Sequence, residues 1–278
     1  MTPVRLTIIG LGVIGGSVAR ALRDDRHHDL LGWADRADDR AAATGAGIRV
    51  APDLAGAIAH ARGGAVLLAV PLDGVAALAG AIVDASPDTL VLHAGSLQRP
   101  EALGLAEHLI GRVFGTHPMA GSHGTGFAAS RAEIFGGAAV SIEARLGEPG
   151  LSVATSLWRA AGAARLERRD AEEHDRLMAW ASHLPQLAAT AIAAALDARA
   201  VAAAAGGPGL RDATRLAQSS FALWRPILRG APAETRIALL AASDALREVE
   251  AEIARGDWDA VESRWERARS WRAAAESE

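Results

Sequence analysis

A chain of 278 residues, half of them hydrophobic, is long enough for one large or two modest cores. Its net charge of −4, with both signs mixed and arginine in place of every lysine, provides no basic field for nucleic acid and no polybasic membrane patch. The absence of cysteine excludes disulfides, thiolate metal ligands and a cysteine nucleophile, and no metal centre is expected. No apolar run reaches the roughly 18 residues of a spanning helix. The chain opens on a strand-like run, with no charged-then-apolar leader, so a soluble, cytoplasmic protein is expected.

The first seventeen residues organise the rest. Leu6, Ile8 and Ile9 read as a buried strand, and Gly10-x-Gly12-x-x-Gly15 follows at once, with a helix over 17–23. Gly10 permits a tight turn, Gly12 lets backbone approach a pyrophosphate, and Gly15 lets helix and strand pack closely. The N–H groups of the helix start would face the phosphates. Gly10, Gly12, Val13, Ile14 and Gly15 are therefore candidate dinucleotide-binding residues. A second strand, Leu30–Trp33, ends at Ala34-Asp35-Arg36. Asp35 lies about 20 residues past the last glycine, where an acidic side chain holds the ribose hydroxyls of NAD and repels the 2′-phosphate of NADP. Arg36 beside it suits NADP instead, so NAD is favoured and NADP is kept open.

Ile48–Val50 reads as a short third strand, and Asp53 as the cap of a helix ending at His60. Ala65–Val70 is a buried strand whose end, Val70, is expected beside the dinucleotide; Pro71 opens the next helix. Thr89–Leu92 and Val113–Gly115 are further strands, followed by His93-Ala94-Gly95-Ser96 and Thr116-His117-Pro118; Ala138–Ile142 is the last. The alternation predicts a Rossmann-type, doubly wound, mostly parallel α/β sheet, with ligands beyond the carboxyl ends of its strands. Ser96 and His117 should face that crevice. His117 is a candidate general base, since imidazole titrates near neutrality and can take a hydroxyl proton as hydride leaves. Ser96 could orient it or the substrate hydroxyl. A hydrogen-bonded structural histidine is the plainer alternative.

Arg145–Gly150 breaks the alternation, which puts a boundary between Glu143 and Leu151 and divides the chain into 1–146, dinucleotide-binding, and 151–278, all-helical. Leu151–Ala163 is one helix. Asp170 starts a long one as a capping box with Glu173, with Leu177, Trp180, Leu184, Leu187 and Ile192 at helical spacing and Pro185 as a kink. His183, Gln186 and Thr190 share a face there, either as a satisfied core network or as a substrate pocket. Arg215, in Leu210–Ala217, could clamp a carboxylate or pair with Asp212. Two amphipathic helices, Ala233–Ala254 and Asp257–Ala275, close the chain; Trp258 and Trp265, seven apart, suit a helix–helix seam, and a helical domain this apolar is expected to dimerise.

These residues together resemble the prephenate/arogenate dehydrogenases of tyrosine biosynthesis. The resemblance rests on GLGVIGGSVA (10–19), Gly95-Ser96, GTHPMAGS (115–122), EEHD (172–175), SHLPQ (182–186) and LRDATRLA (210–217), in the family's order and spacing over nearly the whole chain. It implies an NAD-dependent oxidative decarboxylation, prephenate giving 4-hydroxyphenylpyruvate or arogenate giving tyrosine. In that reaction His117 accepts the proton of the ring hydroxyl and Ser96 hydrogen-bonds the hydroxyl or His117. His183, Gln186 and Arg215 line the substrate pocket, with Arg215 on a carboxylate. The family forms homodimers through the helical domain. The chain departs from many relatives at His93 (Asp), Gln98 (Lys), His123 (acidic) and Gln186 (His), and its Asp35 comes one position later than in the common Gly-x-Asp. Two other readings are a 3-hydroxyacid or 6-phosphogluconate-like dehydrogenase, which generally needs a lysine that this chain lacks, and a non-catalytic dinucleotide sensor, which needs neither His117 nor Arg215.

Overall fold

The computed structural model describes residues 3–121 and 124–274; His123 and Ser122 of the GTHPMAGS motif lie outside the described residues. The opening apolar run forms β1 (Val4–Ile9), and the glycine turn feeds α1 (Val13–Ala21), which begins four residues earlier than Ser17. Then come β2 (His28–Trp33), α2 (Ala37–Gly45), α3 (Leu54–His60), β3 (Ala65–Leu68), α4 (Leu72–Ala85), β4 (Leu90–His93), α5 (Pro100–Leu103) and β5 (Val113–Pro118). After these follow β6 (Ala139–Glu143), α6 (Gly150–Ala160) and β7 (Arg165–Arg169). The strands lie in the order β2-β1-β3-β4-β5-β6-β7. The first five are mutually parallel, β6 runs antiparallel to β5, and β7 is parallel to β6.

Successive side chains of a strand face opposite sides, and here both sides are covered. Leu6, Ile8, Leu67 and Leu92 pack with Phe135 and Trp158 on one side, while Ile9, Val66, Leu68 and Val91 pack with Val75 and Ile82 of α4 on the other. This is the doubly wound architecture expected of near-continuous apolar strands. Asp53 caps α3 as expected, accepting the Gly56 N–H at 2.7 Å.

Three local expectations are corrected. Ile48–Val50 does not form a strand; only Val50 bridges to Gly32, because three residues beside the outer strand β2 find too few ladder partners. The alternation does not stop at Arg145–Gly150. Helix α6 and strand β7 carry it on to Arg169, so the segment from 151 is not all-helical and the expected boundary falls inside the sheet-forming region. The sequence RLERR hides this strand because β7 sits at the sheet edge, where charged side chains are tolerated. Finally, the helix predicted from Asp170 is interrupted. It runs as α7 (Ala171–Met178), a π-helical turn (Ala179–His183) and α8 (Leu184–Asp197). Pro185 has no N–H to offer the ladder, and the backbone absorbs this with an extra residue in the turn. Asp170 caps α7 through the Glu172 N–H at 2.9 Å, one residue short of a capping box.

Two compact units make up the chain, Met1–Pro232 and Ala233–Glu278. The first is completed by α9 (Pro208–Thr214), the 3₁₀ turn Arg215–Gln218 and α10 (Phe221–Gly230). The second consists of helix α11 (Pro232–Arg255), nearly whole, and α12 (Trp258–Ala274). The tryptophans expected to suit a helix–helix seam both lie on α12 and do not pack against α11. Trp258 and Trp265 are 64% and 68% exposed, and Arg264 instead ties the helices together by binding Glu248 and Glu252. No helix among the described residues is long and apolar enough to cross a membrane.

Candidate active site

The glycine turn has the shape its sequence demands. Gly10 has φ +97°, a left-handed conformation that favours glycine, and a Cβ there would lie 2.4 Å from the Ala69 carbonyl oxygen. A Cβ at Gly15 would lie 1.9 Å from the Gly10 oxygen, so strand turn and helix touch through bare backbone. Gly12 differs: a Cβ there meets nothing within 4 Å. It stands at the N-cap of α1, with no side chain capping the first turn. Open space over uncapped N–H groups, next to Val13 and Ile14, is the cradle that an anionic pyrophosphate fits. Val70, two residues past the end of β3, closes over the turn; its Cγ1 would be 2.9 Å from a Gly10 Cβ. Asp35 is exposed beyond the end of β2, where its carboxylate accepts the Arg36 N–H at 2.8 Å, and Arg40 donates to the Ala34 and Asp35 carbonyls. The dinucleotide-binding candidates therefore lie at the carboxyl ends of β1, β2 and β3.

His117 belongs to the same end of the sheet. It lies inside β5, two residues beyond Gly115, which pairs with His93 of β4; the strand thus runs past the Gly115 expected from sequence. Ser96 follows three residues after His93 and is half-buried. The two lie at the carboxyl ends of adjacent parallel strands.

Behind His117 stands a pair of residues that sequence reasoning quoted only as part of the EEHD motif. His117 Nδ1 lies 3.1 Å from His174 Nε2, and His174 Nδ1 lies 2.8 Å from Asp175 Oδ1. Both His174 and Asp175 are fully buried. Asp175 also accepts the backbone N–H groups of Gln98 and Arg99, at 2.8 and 3.1 Å, so it fastens α7 to the loop that carries Ser96. Arg99 adds its guanidinium at 3.4 Å. A 57-residue separation hides the link between His117 and His174 from any local pattern.

Desolvation, followed by the neighbouring His174, His93 and His183, pushes the His117 imidazole down to about 3. His93 is fully buried, and its desolvation holds it down to about 4 against the pull of Asp175. The Gly95 N–H donates to His93 Nδ1 at 3.2 Å, consistent with a neutral ring. His117 and His93 are therefore neutral rings at physiological pH, each with one unprotonated nitrogen.

His183, at the end of the π turn, is buried and packs edge-on against Trp224, with ring centroids 5.9 Å apart. Gln186 is buried one turn on. Its amide donates to the Leu216 carbonyl at 2.8 Å and lies 3.4 Å from Thr190 Oγ1, while the Thr190 hydroxyl donates to the Gln186 carbonyl. The face predicted from spacing is real, and part of it is a satisfied network. That network holds the turn headed by Arg215, which is exposed.

A glycine turn between the first strand and first helix of a doubly wound, mostly parallel sheet marks a dinucleotide-binding oxidoreductase. Residues 18–165 match the family described as prephenate dehydrogenase, nucleotide-binding domain, and residues 170–265 match prephenate dehydrogenase, dimerization domain. Cyclohexadienyl dehydrogenase of Zymomonas mobilis is 31% identical over 241 residues, covering 82% of this chain and 81% of its own. Prephenate dehydrogenase of Lactococcus lactis is 29% identical over 293 residues, covering 98% and 77%. The fold is also that of the prephenate dehydrogenase from A. aeolicus solved with hydroxyphenyl propionate and NAD+, with a TM-score of 0.81, 24% identity and 92% of each chain covered. The chain belongs to the prephenate dehydrogenase family, oxidoreductases acting on prephenate or arogenate in tyrosine biosynthesis.

Proposed function

We propose that this protein is a cytoplasmic enzyme that oxidatively decarboxylates prephenate with NAD. The observation that carries this reading is a neutral imidazole, His117, at the same end of the sheet as an uncapped glycine cradle. Gly10, Gly12, Val13, Ile14, Gly15, Asp35 and Val70 would hold a nicotinamide dinucleotide, which would supply the hydride acceptor. His117 takes the proton of the ring C4 hydroxyl as the C4 hydride departs. The C–O bond becomes a carbonyl. The ring carboxylate then leaves as carbon dioxide, its electron pair aromatises the ring, and the resulting phenolate oxygen recovers the proton from His117. Ser96 orients the hydroxyl, His183 and Gln186 shape the pocket wall, and Arg215 holds a substrate carboxylate bidentately. The neutrality of His117 suits this role, since a base must be unprotonated when substrate arrives.

The functional division follows the sheet: residues through β7 serve the dinucleotide, and those from Asp170 serve substrate and dimerisation. The homodimer forms through the helical part, a reading supported by the dimerization-domain match and by the outward-facing Trp258 and Trp265. Arogenate is the second substrate reading. It is favoured by the likeness to a cyclohexadienyl dehydrogenase and by Gln186, an uncharged residue with its amide already engaged.

The test is a four-way assay of prephenate or arogenate with NAD or NADP, following reduced cofactor and the aromatic product. Turnover of prephenate with NAD is the expected result. Turnover of arogenate alone would transfer the reading to the amino acid. No turnover in any combination would remove the assignment.

A further inference from the structure

The hydrogen bonds behind His117 run in one direction only. Asp175 Oδ2 accepts the Arg99 N–H and guanidinium, and Oδ1 accepts the Gln98 N–H. A carboxylate with these partners is an acceptor, so the short contact from Oδ1 to His174 Nδ1 needs the proton on His174 Nδ1. When that is the ring's single proton, His174 presents a bare Nε2. That atom is the one 3.1 Å from His117 Nδ1, so His117 must carry its own proton on Nδ1 and donate it. The remaining nitrogen of His117, Nε2, is left with a lone pair.

The geometry points to His174 and Asp175 as positioning residues that fix His117 in its Nδ1–H tautomer, so that Nε2 is the atom that receives the substrate proton. This rests on the proposed dehydrogenase role of His117. In the opposite tautomer the ring presents an N–H to the hydroxyl and cannot act as a base. The rings stand nearly perpendicular, at 82° with centroids 5.2 Å apart, and the nitrogen–nitrogen separation of 3.1 Å is that of a hydrogen bond. Both partners are fully buried, so water does not compete for these bonds.

The experiment combines two variants with imidazole NMR. In the wild-type protein, ¹⁵N and ¹³C shifts of the His117 ring should report the Nδ1–H tautomer. His174→Phe removes the acceptor, and the ring should shift toward the Nε2–H form. Its kcat should fall about 100-fold or more, in line with the cost of a misoriented or wrong-tautomer histidine, while the Kd for dinucleotide stays within about threefold. His174→Gln keeps an acceptor oxygen near the lost Nε2 and should restore the Nδ1–H signature with much of the rate. A wild-type ring in the Nε2–H form would overturn the inference. So would a His174→Phe protein with wild-type kcat, or one that loses rate and dinucleotide affinity in equal measure. If His174→Phe does not fold, the wild-type tautomer and His174→Gln still decide. If the wild type turns over neither substrate, the proposed function fails, yet the tautomer measurement still judges the relay.

Discussion

Gln186 donates its side-chain amide to the Leu216 carbonyl at 2.8 Å, so the turn headed by Arg215 hangs from helix α8. Gln186 itself is buried and Arg215 is exposed. The guanidinium proposed to bind substrate sits on a short 3₁₀ turn and depends on whatever holds that turn. Gln186→Ala should raise the KM for substrate about tenfold, the equivalent of one lost buried hydrogen bond, and leave dinucleotide affinity alone. Steady-state kinetics with each ligand varied in turn will check this, and an unchanged KM would detach Gln186 from the pocket.

Removing the base tests the chemistry directly. His117→Asn should lower kcat about 10³-fold, within the range for general-base catalysis, while dinucleotide binding measured by fluorescence titration remains. In the wild type, the acid limb of kcat/KM should fall well below pH 6.5, because desolvation holds the free-enzyme His117 at about 3. A limb at the ordinary imidazole value would contradict the desolvated site.

The glycines of the turn should separate stability from affinity. Gly15→Ala places a methyl 1.9 Å from the Gly10 oxygen and should cost roughly 1–3 kcal/mol or more by overpacking. Gly12→Ala meets no protein atom within 4 Å, so the melting temperature should barely move, while dinucleotide affinity drops because the methyl fills the phosphate cradle. Thermal melts with and without NAD distinguish the two; equal loss of stability in both would refute the contrast.

Acid should destabilise the protein in a defined window. His93 is buried and titrates at about 4, against about 6.5 when unfolded. The unfolded chain therefore binds a proton first as pH falls. The stabilising contribution is complete above about pH 6.5 and is lost on the way down to about 4, of order 3 kcal/mol. His117 acts in the same direction. Urea midpoints between pH 7.5 and 4.5 should fall for the wild type and fall less for His93→Gln. Parallel curves would exclude His93 as a source.

The exposed tryptophans bear on assembly. The wild type should sediment as a dimer, and Trp258→Glu with Trp265→Glu should yield monomers by placing charge on an apolar face. A dimer that survives both changes would locate the interface elsewhere.

Much of this architecture is legible in the sequence because short apolar runs have one stable use in a doubly wound sheet. β1, β3 and β4 announce themselves this way, and the glycine turn between β1 and α1 can be read down to individual residues. What escapes has physical causes. Ile48–Val50 has strand-like composition but lacks partners, whereas β7 has partners but a charged, helix-like composition. The π turn before Pro185 shifts the register of the helical face without leaving any trace in residue type. His117 is visible because its motif reads as the end of a strand, although β5 runs on through it. His174 is not, since its importance comes from α7 docking onto β5, and nothing in the string EEHD says which ring it will meet.

Every strand of the sheet and the whole glycine turn precede residue 170, whereas His174 and Asp175 come after it. The glycine turn and the proposed base His117 thus come from one stretch of the chain, and the pair that backs His117 comes from the next. A chain ending before residue 170 would carry the turn and the imidazole but nothing to fix that imidazole's orientation.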